Sequence, residues 1–166
     1  NDMSLYYLTN KKKKSYGENK ESKMEESVHR RKLNLVKKLD RIFSLYIRLR
    51  DAMPNGYVRC ISCGKIKVFD DVDCGHFHSR RHMSTRFDED NCHAECKFCN
   101  RFSADHLIGY QTNLIRKIGQ NRFEKLNIKA RSTCKWLDSE LEERIKYYSH
   151  KVDELSREKG IRVKVK

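Results

Sequence analysis

The chain has no apolar run of membrane-spanning length, no internal repeat, and no apolar leader ahead of its cysteines. It is therefore read as an intracellular, cytoplasmic protein without a membrane helix. Apolar material is scarce as well, with 37% hydrophobic residues against 36% charged. A domain of this size with so little to bury often needs a staple such as a metal ion. Acid is short: 23 Asp and Glu face 37 Lys and Arg, for a net charge of +14. That imbalance points to a polyanionic partner, with nucleic acid first, because phosphate neutralisation supplies most non-specific binding. Charge alone would also suit a histone-like or ribosomal protein. The cysteine count of seven is odd, which argues against a closed disulfide scaffold and for thiols in a reducing compartment.

Along the chain, residues 1–26 hold the Lys11–Lys14 run and little apolar periodicity, and are expected to form a flexible basic arm. A lysine run is ordinarily just solvated; here it can also add phosphate contacts. Residues 27–55 read as a long amphipathic helix through Val36, Leu39, Phe43, Tyr46 and Ile47, stopped by the "MPNG" punctuation. Residues 56–120 change character, with strand-like "YVRCI" and "KIKVF" and then a helix from about Ser103 to Ile118. Residues 121–166 follow as C-terminal helices with a basic tail, "IRVKVK". "NRFE" at 121–124 has capping-box spacing, and Leu137, Leu141, Ile145, Tyr148, Val152 and Leu155 form a seam. The seam is expected to pack on the 27–55 helix, and a homodimer through the long helices is its rival.

Two Cys-x-x-Cys pairs, Cys60/Cys63 and Cys96/Cys99, can each present two thiolates to one tetrahedral ion. Gly64 suits the tight turn after the first pair. These four cysteines are expected to bind a structural zinc. The 32 residues between the pairs exceed a short zinc ribbon, so something is built between them. Cys74, Cys92 and Cys134 read most simply as small buried hydrophobes, with Cys74 also a candidate ligand because it lies close to His76.

The string "DCGHFHSR…RFDEDNCHAECKFCN" resembles the HNH (ββα-metal) nucleases, in which a zinc-stapled hairpin and helix hold a catalytic metal. With "KLDRIFSLYIRLRD" ahead of it, the sequence looks closer still to the NinG (Rap) recombination endonucleases of lambdoid phages. The likeness covers roughly residues 35–120. The fold it implies is α+β: a zinc-stapled ββα-metal, treble-clef-like core flanked by long α-helices. The activity it implies is metal-dependent hydrolysis of DNA phosphodiesters, structure-specific for Holliday junctions or D-loops in phage recombination, inside the host-cell cytoplasm. The alternative is a non-catalytic, zinc-stapled DNA-binding protein.

The signature positions fall on His76, Asn91 and Asn100. The resemblance gives His76 the general-base role, which a neutral imidazole suits near pH 7. It makes Asn91 a loop brace and Asn100 a ligand to a catalytic Mg²⁺ or Mn²⁺, a hard ion that takes oxygen donors. Gly75 stands where many HNH enzymes carry a further ligand. Asp73 is the first substitute, followed by His93, Asp71 and Cys74; a second register makes His76 the ligand and His78 the base. Arg80, Arg81 and Arg86 are candidate DNA-binding residues, suited to clamping phosphate.

Overall fold

The computed structural model describes the backbone of residues 2–163 and the side chains of residues 21–163. The chain divides into two compact units, residues 1–37 and residues 38–166. The first helix, α1 (Asp2–Asp51), begins far earlier than the expected 27–55 element. The arm expected over 1–26 is thus helical from residue 2. Its Lys, Glu, Leu and Met residues favour helix, and no proline interrupts them. The Lys11–Lys14 side chains lie outside the described residues. Within the first unit, Arg30 pairs with Glu26 one turn earlier at 2.9 Å.

In the second unit, the remainder of α1 buries Leu39, Ile42, Phe43, Tyr46, Ile47 and Leu49, the helical stripe legible in the sequence. Its partner is α5 (Asp138–Lys159), which buries Leu141, Ile145, Tyr148 and Val152. Tyr148 packs its ring 4.9 Å from both Phe43 and Tyr46, and Glu89 accepts hydrogen bonds from both tyrosine hydroxyls. The Lys159 ammonium donates to the carbonyls of Leu49, Arg50 and Ala52 at 2.6–3.1 Å. A cation therefore closes the C-terminal end of α1, where unpaired carbonyls gather. The "MPNG" stop is a turn closed by Gly56 donating to the Met53 carbonyl.

Between these helices lie two antiparallel hairpins. The first pairs β1 (Tyr57–Arg59) with β2 (Ile66–Val68), carrying "CISCG" at its tip. There Gly64 takes φ +71, and its amide donates to the Cys60 carbonyl at 2.9 Å. The second pairs β3 (Val72–His76) with β4 (Cys92–Cys96), with Asp73 opposite Glu95 and His76 opposite Cys92. A short helix, α2 (Lys97–Phe102), starts directly from β4.

Helix α3 (His106–Ile118) and helix α4 (Gln120–Ala130) bury Tyr110, Leu114, Phe123 and Leu126 against Ile61 and Phe77. The helix expected from about Ser103 to Ile118 is α3, which starts three residues later and ends at Ile118 as expected; Ser103 caps the end of α2 instead of the start of α3. The capping box expected at "NRFE" does not form: Gly119 is the N-cap, at φ +82 with no capping side chain. The "IRVKVK" tail is irregular over 161–163 and beyond that lies outside the described residues.

Candidate metal centre and adjoining cavity

The first hairpin and the start of α2 bring Cys60, Cys63, Cys96 and Cys99 together, with all four sulfurs within 4.8 Å of one another. Tetrahedral thiolates at the usual Zn–S distance sit roughly 3.8 Å apart, and Cys63 Sγ lies 3.9 Å from Cys96 Sγ. The set therefore fits a metal such as zinc. The Cys96 amide also donates to Cys60 Sγ at 3.2 Å, which favours a thiolate there. Without a cation such crowding is unfavourable: burial, ahead of its other neighbours, pushes the Cys60 thiol up to about 11.

Directly beyond this cluster is a cavity of about 300 Å³, lined by Asp40, Asp73, Cys74, His76, Arg80, Asn100 and Arg101 among others. Helix α2 places Asn100 there because it follows Cys99, and β3 contributes Asp73 and His76. His76 Nε2 lies 3.1 Å from the Arg86 carbonyl, and Nδ1 lies 3.3 Å from that of Cys74. A neutral imidazole has one N–H, so the shorter contact assigns the proton to Nε2 and leaves Nδ1 with a lone pair. Once protonated, the ring could donate to both carbonyls. Burial, and next the positive charge of Arg80, hold His76 below the ordinary histidine value.

Asp73 accepts from Asn100 Nδ2 at 3.1 Å and from Arg101 through two nitrogens, at 2.8 and 2.9 Å. Burial alone would raise its pKa; the hydrogen bonds from Arg101 and Asn100 outweigh it and keep the carboxylate ionised. As oxygen donors, Asp73 and Asn100 fit a hard dication that retains several waters, provided Arg101 yields the carboxylate.

The other expected residues separate clearly. Asn91 is buried: its Oδ1 accepts from the His78 amide at 2.7 Å, and its Nδ2 donates to the His78 and Thr85 carbonyls at 2.9 and 3.0 Å. It ties the loop after β3 to the start of β4. His93 is not brought to the cavity. Its Nδ1 is 2.8 Å from an Arg50 nitrogen and 3.6 Å from Asp51 Oδ2, and a strand's alternation directs it away from its neighbour Cys92. His78 contacts Asn127 on α4 at 2.9 Å, which removes it from the alternative register. Arg86 has both Nε and one terminal nitrogen on Asp40, and the other on the Arg80 carbonyl. That guanidinium is held within the fold, so a phosphate role would require breaking its ion pair. Arg80 and Arg81 are exposed.

Gly75 has its own explanation. A Cβ there would lie 2.8 Å from Glu95 Cβ and closer still to its carboxylate, so no side chain, and no ligand, fits at that position.

Compared with known proteins, residues 5–158 match the family model described as Bacteriophage Lambda NinG protein. The chain belongs to the NinG family. Among curated NinG-family relatives, "Protein ninG" of Escherichia phage 933W is 32% identical over 93 residues, which is 55% of this chain and 43% of that protein. Those of Escherichia phage lambda and Salmonella phage P22 are 28% and 30% identical over 119 residues, or 67% of this chain and 55% and 56% of theirs. The chain thus spans about half the length of these relatives. No solved structure matches it.

Two residues of this NinG-family site escaped the sequence reading. Arg101 carried a usable signal, since it directly follows Asn100 in α2. Glu95, fully buried with Ser62 Oγ at 2.5 Å and His106 Nδ1 at 2.8 Å, had none, because its partners are remote in sequence.

Proposed function

We propose that this NinG-family chain is a metal-dependent endonuclease of the HNH type that cuts branched DNA in phage recombination, acting in the host cytoplasm. The observation that carries the reading is the cavity: Asp73 and His76 on β3 and Asn100 on α2 line one space beside a four-cysteine cluster. The β3–β4–α2 order supports the same reading, as does the net charge of +14.

His76 Nδ1 takes a proton from an attacking water; its low pKa keeps it neutral for that step at pH 7. The Arg86 carbonyl holds the ring's tautomer, and the Cys74 carbonyl stabilises the imidazolium that results. Asp73 and Asn100 would hold a Mg²⁺ or Mn²⁺ ion, which when bound supplies charge stabilisation at the phosphoryl and leaving oxygens. Arg80, and Arg101 once released from Asp73, bind phosphate oxygens; Arg81 tracks the backbone outside the cavity. Choice of a branched substrate follows from shape and backbone contact rather than from base readout. Pairing of two copies through the long helices belongs to the same proposal. It must use faces other than Leu141, Ile145, Tyr148 and Val152, which are buried within the chain.

The test incubates the protein with branched and linear DNA in Mg²⁺ or EDTA. Wild type is expected to cut branched DNA only with the metal, and His76→Ala to lose about 10²-fold or more in rate. Undiminished cleavage by His76→Ala would overturn the base assignment. Binding without cleavage under any metal would instead make the chain a zinc-stapled DNA-binding protein. Asp73→Asn should raise the Mg²⁺ concentration needed for half-maximal rate, whereas His93→Ala should not.

A further inference from the structure

The thiols of Cys74 and Cys92 are used by neither the four-cysteine cluster nor the proposed nuclease chemistry. Both are buried, at 5% and 0% exposure. Register explains their meeting: His76 pairs across the hairpin with Cys92, and Cys74 lies two residues before His76 on the same face of β3. The result is a second convergence of donors, with the two sulfurs and a ring nitrogen of His76 all within 4.8 Å of one another. The Arg86 carbonyl lies 3.1 Å from His76 Nε2 and 3.6 Å from Cys92 Sγ, so those two donor atoms flank one oxygen.

Two thiols and an imidazole are the wrong donors for Mg²⁺ or Mn²⁺, which take oxygen, and the right ones for zinc, cadmium or copper(I). Three protein donors with the fourth position left to water or a carbonyl is also an ordinary arrangement for zinc outside purely structural sites. We propose that Cys74, His76 and Cys92 form a second, soft-metal site that takes an ion of the zinc class, and that its occupation withholds His76 from the cavity. Binding converts two thiols to thiolates and releases two protons, with no change of oxidation state. The site uses none of the four cysteines of the structural cluster. The binding claim stands by itself, while the inhibitory consequence rests on the nuclease reading of His76.

The whole chain, purified with zinc, is titrated with Cd²⁺ while thiolate-to-metal charge-transfer absorbance and bound metal are followed. Wild type is expected to hold two ions per chain, the second released more readily by a chelator. Cys92→Ala should hold one, and His76→Ala should weaken the second at least tenfold. His76 is half-buried, so the His76→Ala variant keeps the test valid even where Cys92→Ala fails to fold. One ion per chain in wild type, or unchanged uptake in His76→Ala, would overturn the site. With Mg²⁺ present, added zinc should inhibit cleavage of branched DNA by wild type and spare Cys92→Ala. Equal inhibition of both would overturn the coupling while leaving the site. Two bound ions with no cleavage under any condition would sink the nuclease reading and support the site alone.

Discussion

At the scale of single residues, the most informative position is Gly75, because it looked like a missing ligand and proves to be an occupied space. Glu95, one residue before Cys96 of the four-cysteine cluster, fills the volume a side chain would need. Gly75→Ala is therefore expected to destabilise the protein by about 1–3 kcal/mol, the usual range for overpacking. Adding Glu95→Ala should recover part of that loss if the clash is its cause. Denaturant unfolding of the two variants checks this, and a Gly75→Ala protein as stable as wild type would contradict it. Asn91 offers a second case. Removing its three hydrogen bonds by Asn91→Ala should cost about 2–4 kcal/mol and speed proteolysis within residues 77–90. His93 gives the pH dependence. Burial first, and then the charge of Lys117, hold its folded pKa below the ordinary 6.5. The unfolded chain therefore takes the proton first as pH falls. Stability is full above about pH 6.5 and declines below it, with His76 and His78 shifted in the same direction. The unfolding midpoint should drop between pH 7.5 and 5.5, less steeply in His93→Asn; a flat profile would contradict the sign.

At the scale of elements, the helical seams were legible because burial repeats every three or four residues. Phe43, Tyr46, Tyr148 and Val152 all lie where the periodicity put them. The meeting of the four clustered cysteines was legible for a similar reason, since paired Cys-x-x-Cys spacing suits chelation in a way that burial alone does not require. What escaped notice depends on meetings between elements. The Asp73–Arg101 pair, the Glu95 pocket under Gly75 and the Cys74–His76–Cys92 group each need the β3–β4 register, which no local pattern encodes. The early start of α1 escaped for another reason: it follows from helix propensity, and no apolar periodicity in the sequence marks it. Lys159 is a further cross-element contact. Its three carbonyl partners predict that Lys159→Met loses about 1 kcal/mol through the uncapped end of α1. Retention of wild-type stability would show that water replaces the ammonium fully.

For the molecule as a whole, the question is how far the four-thiolate cluster holds the second unit together. Two sources of order can be separated within it. Residues 57–102 contain four short strands, one turn of 3-10 helix and one short α-helix; their buried side chains include five of the seven cysteines, with Cys63 at the surface. The α1–α5 seam is instead built from buried aromatic and aliphatic side chains, with none of the clustered cysteines in it. Structural zinc sites of this kind contribute roughly 10–16 kcal/mol of apparent binding energy in small peptides. That is comparable to the entire stability of an ordinary domain, about 5–15 kcal/mol. With an ion of this kind held by the cluster, its removal should therefore melt the hairpins outright, while the seam retains its own driving force. Hydrogen exchange after treatment with a strong chelator should show protection lost over residues 57–102 before it is lost over 141–152. Simultaneous loss at both would mean that the unit is cooperative and the seam too weak to stand alone. Unchanged protection over 57–102 would mean that the cysteines do not hold a structural ion, and that the scaffold placing Asn100 beside His76 is built from packing alone.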